Sequence, residues 1–271
     1  MAHVGVMSVL KREDIPVHFI AGSSMGAIVA AALTLNPEYG SQKLKLLLDE
    51  LEDSIPDHLK VPAEKSNSLL TKLRLFINVE RFILDTLSGW SVLPEDLAKT
   101  TLKKLTLDKK IEEAAIPLAI VSVDLLSGEK IVFKDGPAAI ALQASSAIPG
   151  FLPPVLYNDM ILVDGAILDV VPADITRDMG ADIVIAVDVD QSGPRPQIKN
   201  GLDAFLRAVE LSAQYNKRQF LKDADIIIHP DFGREIVTFD VSKAEDCISA
   251  GVRAAEIALP KIRNLLDYGL K

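Results

Sequence analysis

The fold is decided by the stretch Val17-His-Phe-Ile-Ala-Gly-Ser-Ser-Met-Gly-Ala-Ile-Val-Ala-Ala-Ala-Leu-Thr-Leu35. Its apolar beginning, 17–21, is typical of a buried strand, and its alanine-rich end, 27–35, has high helix propensity. Between them lies Gly22-Ser-Ser24-Met-Gly26, a Gly-x-Ser-x-Gly turn. In a nucleophile elbow, this strand–turn–helix arrangement places the serine Oγ at the carboxyl end of the strand. The first turn of the helix then points its N–H groups at an oxyanion that forms there.

Gly-x-Ser-x-Gly alone is a frequent pattern, so a second interpretation of the turn stays open. In it, Ser24 only caps the helix through its side chain. The strand before the turn and the helix after it favour the nucleophile interpretation. On that interpretation, Gly22 and Gly26 permit the sharp turn, and the Met25 N–H is an oxyanion donor.

Length and composition limit the class of protein. The chain has 271 residues, of which 49% are hydrophobic, enough for a sizeable core. Its formal net charge of −9 disfavours nucleic acid as a partner and tight electrostatic binding to anionic lipid. The single cysteine, Cys247, has no partner for an internal disulfide, and no Cys/His cluster has metal-ligand spacing. We see neither an apolar run of membrane-spanning length nor a secretory signal pattern, and therefore expect a cytoplasmic protein.

Strands alternate with helices along most of the chain. The sequence predicts an amphipathic helix within 1–16, a hairpin-like pair of strands at 117–124 and 130–133, and a strand at 160–163. Further helices are predicted at 137–146, 172–179, 202–222 and 243–266, further strands at 182–189 and 225–229, and a loop at 194–200. This alternation predicts an α/β fold with a mostly parallel sheet.

Residues 41–110 differ from the rest, because they are rich in Leu, Lys, Asp and Glu and show helical periodicity without a strand pattern. We predict a helical insertion that covers the catalytic edge of the sheet. Its apolar residues suit either an acyl-chain wall or lid, or plain packing of the insertion, which we favour for most of them. These residues are Leu75, Phe76, Phe82, Ile83, Leu87 and Trp90.

Four separated stretches together are similar to the bacterial patatin-like phospholipases, a family of serine acyl hydrolases. The stretches are Ala2-His3-x-Gly5-Val6, Ile20-Ala-Gly-Ser-Ser24-Met-Gly-Ala27, Ala144-Ser-Ser-Ala-Ile-Pro-Gly-Phe-Leu-Pro-Pro154, and Asp164-Gly-Ala with Val171-Pro172 and Met179-Gly-Ala-Asp182. The resemblance covers almost the whole chain and is weakest in 41–110. It implies one domain, 1–271, with a three-layer α/β fold and a helical insertion after the nucleophile helix.

The resemblance also implies a Ser–Asp dyad, with Ser24 as nucleophile and Asp164 as proton acceptor. Gly165 and Ala166 form the turn at the aspartate. Burial among apolar strand ends would raise the pKa of the Asp164 carboxyl above its reference value of about 3.9 and make it a better base. The implied activity is cofactor-free and metal-free hydrolysis of acyl esters of lipids through an acyl-enzyme, with at most transient contact with a membrane surface.

One feature departs from the family. Its members carry Gly-Gly-Gly-x-Arg-Gly directly before the Ala-His pair, where this sequence has Met1. Either the sequence is a shortened product of a longer reading frame, or the protein has lost part of its oxyanion hole. We expect slow turnover, and an unpaired sheet edge that is covered by self-association or by a segment of the chain itself.

Two other functions stay open. One is a catalytically weak binding or regulatory protein, and the other is an acyltransferase that passes the acyl group to an alcohol instead of water. Retention of both Ser24 and Asp164 favours a hydrolase over the weak binding protein, because a discarded site does not need both residues.

Overall fold

The structure is a computed structural model that describes residues 1–38, 44–45, 49–50, 89–91, 95–190, 198–233 and 243–269. Most of the predicted insertion, 41–110, lies outside these residues, as does the larger part of the predicted loop at 194–200. Five of the apolar insertion residues also lie outside them: Leu75, Phe76, Phe82, Ile83 and Leu87. The sixth, Trp90, is exposed.

Helices and strands alternate along the described chain. In chain order they are α1 (Ala2–Arg12), β1 (Ile20–Ser23), α2 (Met25–Leu35), α3 (Glu95–Thr106), β2 (Leu118–Asp124), β3 (Lys130–Phe133), α4 (Ala138–Ser145), β4 (Val155–Tyr157), β5 (Met160–Asp164), α5 (Ala173–Asp178), β6 (Ile185–Val187), α6 (Gly201–Phe220), β7 (Ile226–Ile228) and α7 (Ala244–Gly269). The helices and strands predicted outside 41–110 are confirmed, with ends that differ by a few residues.

The described strands form two sheets. In the larger sheet, β2 pairs in parallel with β1 and antiparallel with β3 and β5, and β5 pairs antiparallel with β4. In the smaller sheet, β6 and β7 pair in parallel. The α/β class is confirmed, but the larger sheet is mixed and not mostly parallel, since one of its four described pairings is parallel and three are antiparallel. The two hairpins, β2–β3 and β4–β5, account for two of the antiparallel pairings. The β4–β5 hairpin turns through Asn158 and Asp159, whose φ angles of 47° and 63° are those of a type I′ turn.

The ends of two strands differ from the prediction because strand pairing sets them. β1 begins at Ile20, opposite Leu118 of β2, and continues to Ser23, which the sequence had assigned to the turn. β6 is shorter than the predicted 182–189, because its partner β7 offers only three paired residues.

Helices cover both faces of the larger sheet, which gives the predicted three layers. On one face, α2, α3 and α4 pack against Leu118 and Ile120 of β2 to form the main hydrophobic core. On the other face, Ala119 and Val121 of β2 pack against Ile175 of α5. All residues of β2 are buried. This strand lies between β1 and β5, which lead to Ser24 and Asp164.

A second core joins the beginning and the end of the described chain. Val6, Val9 and Leu10 of α1 pack with Ile226 and Ile228 of β7 and with apolar residues of α7. This contact fixes α1 beside the smaller sheet, with the beginning of α1 close to the start of α2, as the position of His3 near Gly26 shows.

Candidate active site

The turn between β1 and α2 consists of a single residue, Ser24. Its backbone has φ 52° and ψ −128°, a conformation that non-glycine residues adopt rarely and at a cost in energy. Residues in such conformations persist only where their surroundings hold them, and they are concentrated at active sites. The strain of the elbow therefore lies on the candidate nucleophile itself.

The two glycines of the motif differ in what they contribute. A Cβ on Gly22 would lie 2.6 Å from the Ala27 nitrogen, so only glycine lets the first turn of α2 approach β1 this closely. A Cβ on Gly26 would come no nearer to another residue than 3.8 Å, to His3 Nε2. Gly22 is thus required for the close approach, whereas the space beside Gly26 would accept a methyl group.

The structure brings Ser24 and Asp164 together, although 140 residues separate them. Ser24 Oγ donates a hydrogen bond of 2.7 Å to Asp164 Oδ2. Ser24 occupies the N-cap position of α2, but its side chain makes no capping hydrogen bond. The capping interpretation of this serine is therefore wrong, and its hydroxyl is directed at the carboxylate instead.

Asp164 is the last residue of β5, and the turn after it holds its carboxylate in place. Ala166 N–H donates a hydrogen bond of 2.9 Å to Asp164 Oδ1, which leaves Oδ2 for Ser24. Gly165 allows this turn to pack against the sheet, because a Cβ there would collide with the Val121 carbonyl oxygen and lie 2.7 Å from Ser23 Oγ.

The electrostatics of Asp164 suit a base. Only 4% of the residue is exposed. This burial raises the pKa of its carboxyl to about 6, against the opposing effect of the hydrogen bonds from Ser24 and Ala166. The carboxyl is then mostly ionised at pH 7, but it binds a proton far more readily than an exposed aspartate does.

Backbone N–H groups at the start of α2 are available beside Ser24. The first hydrogen bond within α2 runs from Ile28 N–H to Ser24 O, so the N–H groups of Met25, Gly26 and Ala27 have no acceptor within the helix. The Ser24 N–H is already used, because it donates to Ser145 Oγ at 3.0 Å. Sequence reasoning missed Ser145, and the only signal for it was its place in the stretch 144–154.

Comparison with known proteins shows the family to which the chain belongs. The family model for patatin-like phospholipases matches residues 1–177, about two thirds of the chain. The chain belongs to the patatin-like phospholipase family. Both Ser24 and Asp164 lie within the matched residues.

The relatives include bacterial and animal proteins. An uncharacterised NTE family protein of Mycobacterium tuberculosis is 30% identical over 195 residues, which are 72% of this chain and 47% of that protein. Patatin-like phospholipase domain-containing protein 6 of Homo sapiens is 27% identical over 191 residues, 69% of this chain and 12% of that protein. A putative patatin-like phospholipase domain-containing protein of Caenorhabditis elegans is 24% identical over 204 residues, 73% of this chain and 16% of that protein. The chain thus spans about half the length of the mycobacterial relative and less of the other two.

A cavity of about 1050 Å³ in this patatin-like domain reaches Ser24 and lies between β1 and β6. Its lining is mostly apolar and includes Leu10, Ile262 and Leu266 of the second core. In the described part of the chain, β1 pairs with β2 alone and β6 with β7 alone, so both strands turn an unpaired edge toward the cavity. That self-association or a segment of the chain covers an unpaired edge, and that turnover is slow, stay predictions.

The three described histidines do not join the Ser24–Asp164 pair. His3 lies in α1, where burial lowers its pKa to about 3, so the imidazole is neutral, and its Nδ1 has no hydrogen-bond partner. His18 lines the cavity, and His229 lies 3.7 Å from Asp188. His58 is outside the described residues. Among the described residues, the side-chain partner of the Ser24 hydroxyl is thus a carboxylate.

The described residues offer neither a metal cluster nor a membrane span. They contain no group of three or more His, Cys, Asp or Glu side chains placed to hold a metal ion. They also contain no helix with the length and apolar character needed to cross a membrane.

Proposed function

We propose that this patatin-like protein is a serine ester hydrolase that cleaves acyl esters of lipids, with Ser24 as nucleophile and Asp164 as base. The observation that carries the proposal is the 2.7 Å hydrogen bond from Ser24 Oγ to Oδ2 of a buried carboxylate. A base acts best when its pKa lies near the working pH, and a value of about 6 satisfies this condition. The family supports a lipid ester as the substrate class.

In the first half of the reaction, Ser24 Oγ attacks the carbonyl carbon of the ester while its proton passes to Asp164 Oδ2. The electron pair of the carbonyl moves onto the oxygen, and the N–H groups of Met25 and Gly26 stabilise this oxyanion. The tetrahedral intermediate then expels the alcohol oxygen, which takes the proton from Asp164. An ester between the acyl group and Ser24 remains.

In the second half, Asp164 Oδ2 accepts a proton from water as the water oxygen attacks the acyl-enzyme. The new tetrahedral intermediate collapses, the Ser24 Oγ leaves, and it recovers a proton from Asp164. The products are a carboxylic acid and the free enzyme. One proton moves to and from the same carboxylate in each half, so the residues present balance the reaction without a cofactor.

The geometry supports a hydrolase over a catalytically weak binding protein. A serine that served only binding would not need the positive φ of Ser24, since this conformation costs about 1–3 kcal/mol. Acyl transfer to an alcohol shares the same acyl-enzyme. Product analysis with an added alcohol distinguishes the two reactions, and we expect free carboxylic acid as the main product.

The decisive experiment combines fluorophosphonate labelling with ester hydrolysis for the wild type, Ser24→Ala and Ser23→Ala. A fluorophosphonate reacts with an activated serine irrespective of the substrate. Ser23 is a matched control, because it is adjacent, buried, and has a hydroxyl without a hydrogen-bond partner. We expect Ser24→Ala to lose both signals and Ser23→Ala to keep them. Loss of labelling in Ser23→Ala alone would overturn the assignment.

A further inference from the structure

The end of α4 contacts the backbone of both members of the Ser24–Asp164 pair. Ser145, the last residue of α4, accepts a hydrogen bond of 3.0 Å from the Ser24 N–H through its Oγ. Two residues later, the Ala147 carbonyl accepts a hydrogen bond of 3.0 Å from the Asp164 N–H. One short segment, 145–147, therefore holds the strand end that carries the base and the turn that carries the nucleophile.

This segment is well placed to act as a rigid support. Ser145 is fully buried and Ala147 is 1% exposed, so both acceptors lie inside the protein. Ala144, directly before Ser145, packs against Val155 of β4 and Leu162 of β5. Movement of Ser145 relative to β5 would disturb this packing.

The unfavourable backbone conformation of Ser24 has to be stabilised by contacts with other residues. Its C=O accepts from Ile28 N–H within α2, and its Oγ donates to Asp164, the group with which it is proposed to react. The bond to Ser145 Oγ is the one to a side chain that takes no part in the proposed chemistry. If it were lost, the partly buried Ser24 N–H would be left without this acceptor in a conformation that is already unfavourable.

We propose that Ser145 is a positioning residue, whose hydroxyl, together with the Ala147 carbonyl, sets the separation of Ser24 Oγ and Asp164 Oδ2. Ser145 acts through the Ser24 backbone and does not touch the substrate. The inference rests on the proposed function, since it concerns the alignment of the proposed dyad.

The test uses Ser145→Ala and Ser145→Cys, with Ser146→Ala as the matched control. Ser146 is the next residue, and its hydroxyl bonds within the same helix, to the Leu142 carbonyl at 2.6 Å. Ser145→Cys keeps the side-chain shape with a somewhat larger atom and offers only a weakly accepting sulfur. We expect kcat to fall about tenfold or more in both Ser145 variants, with KM nearly unchanged, because the loss concerns alignment rather than substrate binding. Ser146→Ala should retain the wild-type kcat.

The pH dependence of kcat/KM tests the positioning role separately from stability, because a loss of stability alone would not shift the pH midpoint. The hydrogen bond from Ser24 lowers the pKa of Asp164, so a longer or broken bond lets that pKa rise. The acidic limb of kcat/KM should therefore shift to higher pH in Ser145→Ala and stay in place in Ser146→Ala. If Ser145→Ala folds poorly, Ser145→Cys gives the same two readouts in a protein that leaves no cavity at this position.

Amide hydrogen exchange of Ser24 tests the inference without reference to activity. The Ser24 N–H should be protected in the wild type and Ser146→Ala and exchange faster in Ser145→Ala. Equal exchange in all three proteins, or wild-type kcat and pH midpoint in both Ser145 variants, would overturn the positioning role. If a fluorophosphonate fails to label the wild type, but the Ser24 N–H still exchanges faster in Ser145→Ala than in the wild type, the proposed function alone is overturned.

Discussion

Two aspartates end neighbouring strands of the same sheet, and their environments give them opposite properties. Asp124 ends β2 and Asp164 ends β5, and each is 4% exposed. The hydrogen bond from the Ser127 hydroxyl is the largest of the effects that lower the pKa of Asp124 to about 2. Further backbone N–H donors to Asp124 come from Leu126, Ser127 and Ile161.

From the described residues, Asp164 accepts one hydrogen bond from a side-chain hydroxyl and one from a backbone N–H, those of Ser24 and Ala166. These two bonds do not offset its burial, and the pKa rises to about 6. The accessible area of the two residues is equally low, but far more protein surrounds the Asp164 carboxyl, whereas Asp124 lies near the surface in its turn. Deeper burial of Asp164 and more hydrogen-bond donors to Asp124 together set the two pKa values apart.

The sharpest test of this comparison is the pair Asp164→Asn and Asp124→Asn. An amide cannot accept the Ser24 proton, so Asp164→Asn should lose about 10²–10⁴ in kcat, the range that a general base contributes. Asp124→Asn should keep kcat near the wild type, because Asp124 holds the β2–β3 turn and not the nucleophile. The measurement is steady-state ester hydrolysis. Wild-type activity in Asp164→Asn would remove the dyad and return attention to the histidines.

Hydrogen-bond donors also decide how strongly an oxyanion is stabilised, and the structure offers the first N–H groups of α2 for this purpose. Adding donors should therefore raise turnover, by up to about 10²–10³ in kcat if a full oxyanion-hole donor is gained. We predict this gain when an apolar strand followed by Gly-Gly-Gly-x-Arg-Gly is fused before Met1, together with reduced self-association in sedimentation experiments. A Gly/Ser fusion of the same length is the control. Equal rates for the two fusions and the original chain would show that other N–H groups already complete the oxyanion hole.

The comparison also predicts opposite effects on stability. In the folded protein the Asp164 pKa lies above its ordinary value of 3.8, so the folded state binds more protons and loses stability as the pH rises from about 4 to about 6. The difference between 3.8 and about 6 corresponds to about 3 kcal/mol, an upper value for the cost of the buried charge at pH 8.

Asp164→Asn should accordingly be more stable than the wild type at pH 8, by up to about 3 kcal/mol in the free energy of unfolding, and the gain should vanish below pH 4. Asp124→Asn should be less stable than the wild type at pH 8, because its lowered pKa contributes stability that is lost only as the pH falls toward about 2. Urea unfolding at the two pH values measures both, with exposed Asp135→Asn as the control. A destabilised Asp164→Asn at pH 8 contradicts the burial argument.

The pH dependence of activity offers a smaller but direct effect. Below a midpoint of about 6, protonation of Asp164 removes the base, and kcat/KM should fall about tenfold for each pH unit. Asp124→Asn should show the same midpoint, since Asp124 is ionised throughout this range. A profile that is flat between pH 7 and pH 4.5 would separate Asp164 from the chemistry.

The smallest expected effect is none at all. The proposed mechanism uses only a serine, a carboxylate and backbone N–H groups, so prolonged incubation with EDTA should leave the rate unchanged. The control is readdition of Mg²⁺, Ca²⁺ or Zn²⁺ to the treated enzyme. Activity that is lost with the chelator and restored by one of these ions contradicts the mechanism.

The sequence predicts the elements of the fold better than it predicts the two carboxylate sites. Helical and strand periodicity located most elements, and the family resemblance pointed to Ser24 and Asp164. Both Asp124 and Asp164 follow an apolar strand and precede a turn with a glycine, so local pattern alone does not separate them. They differ through Ile161 and Ser24, donors that lie far away in sequence and become neighbours only after the strands pair.

Contacts between residues that are distant in sequence also explain the other features that the sequence did not predict. The ends of β1 and the antiparallel neighbours of β2 depend on register between distant segments, which a period of two or 3.6 residues does not encode. Ser145 contacts Ser24 across 121 residues, and nothing in its own helix marks it apart from Ser146. Gly22 and Gly26 look equivalent in the motif, and only the close approach of α2 distinguishes them.

The raised pKa of Asp164 has a consequence for how the reaction proceeds over time. Every ester hydrolysed yields a carboxylic acid, which releases a proton near neutral pH. With a base that titrates at about 6, each product proton depletes the ionised enzyme on which the next turnover depends. In the proposed reaction, turnover is thus subject to negative feedback from its own product. In weakly buffered surroundings a progress curve should level off while substrate is still abundant, and added buffer should restart it.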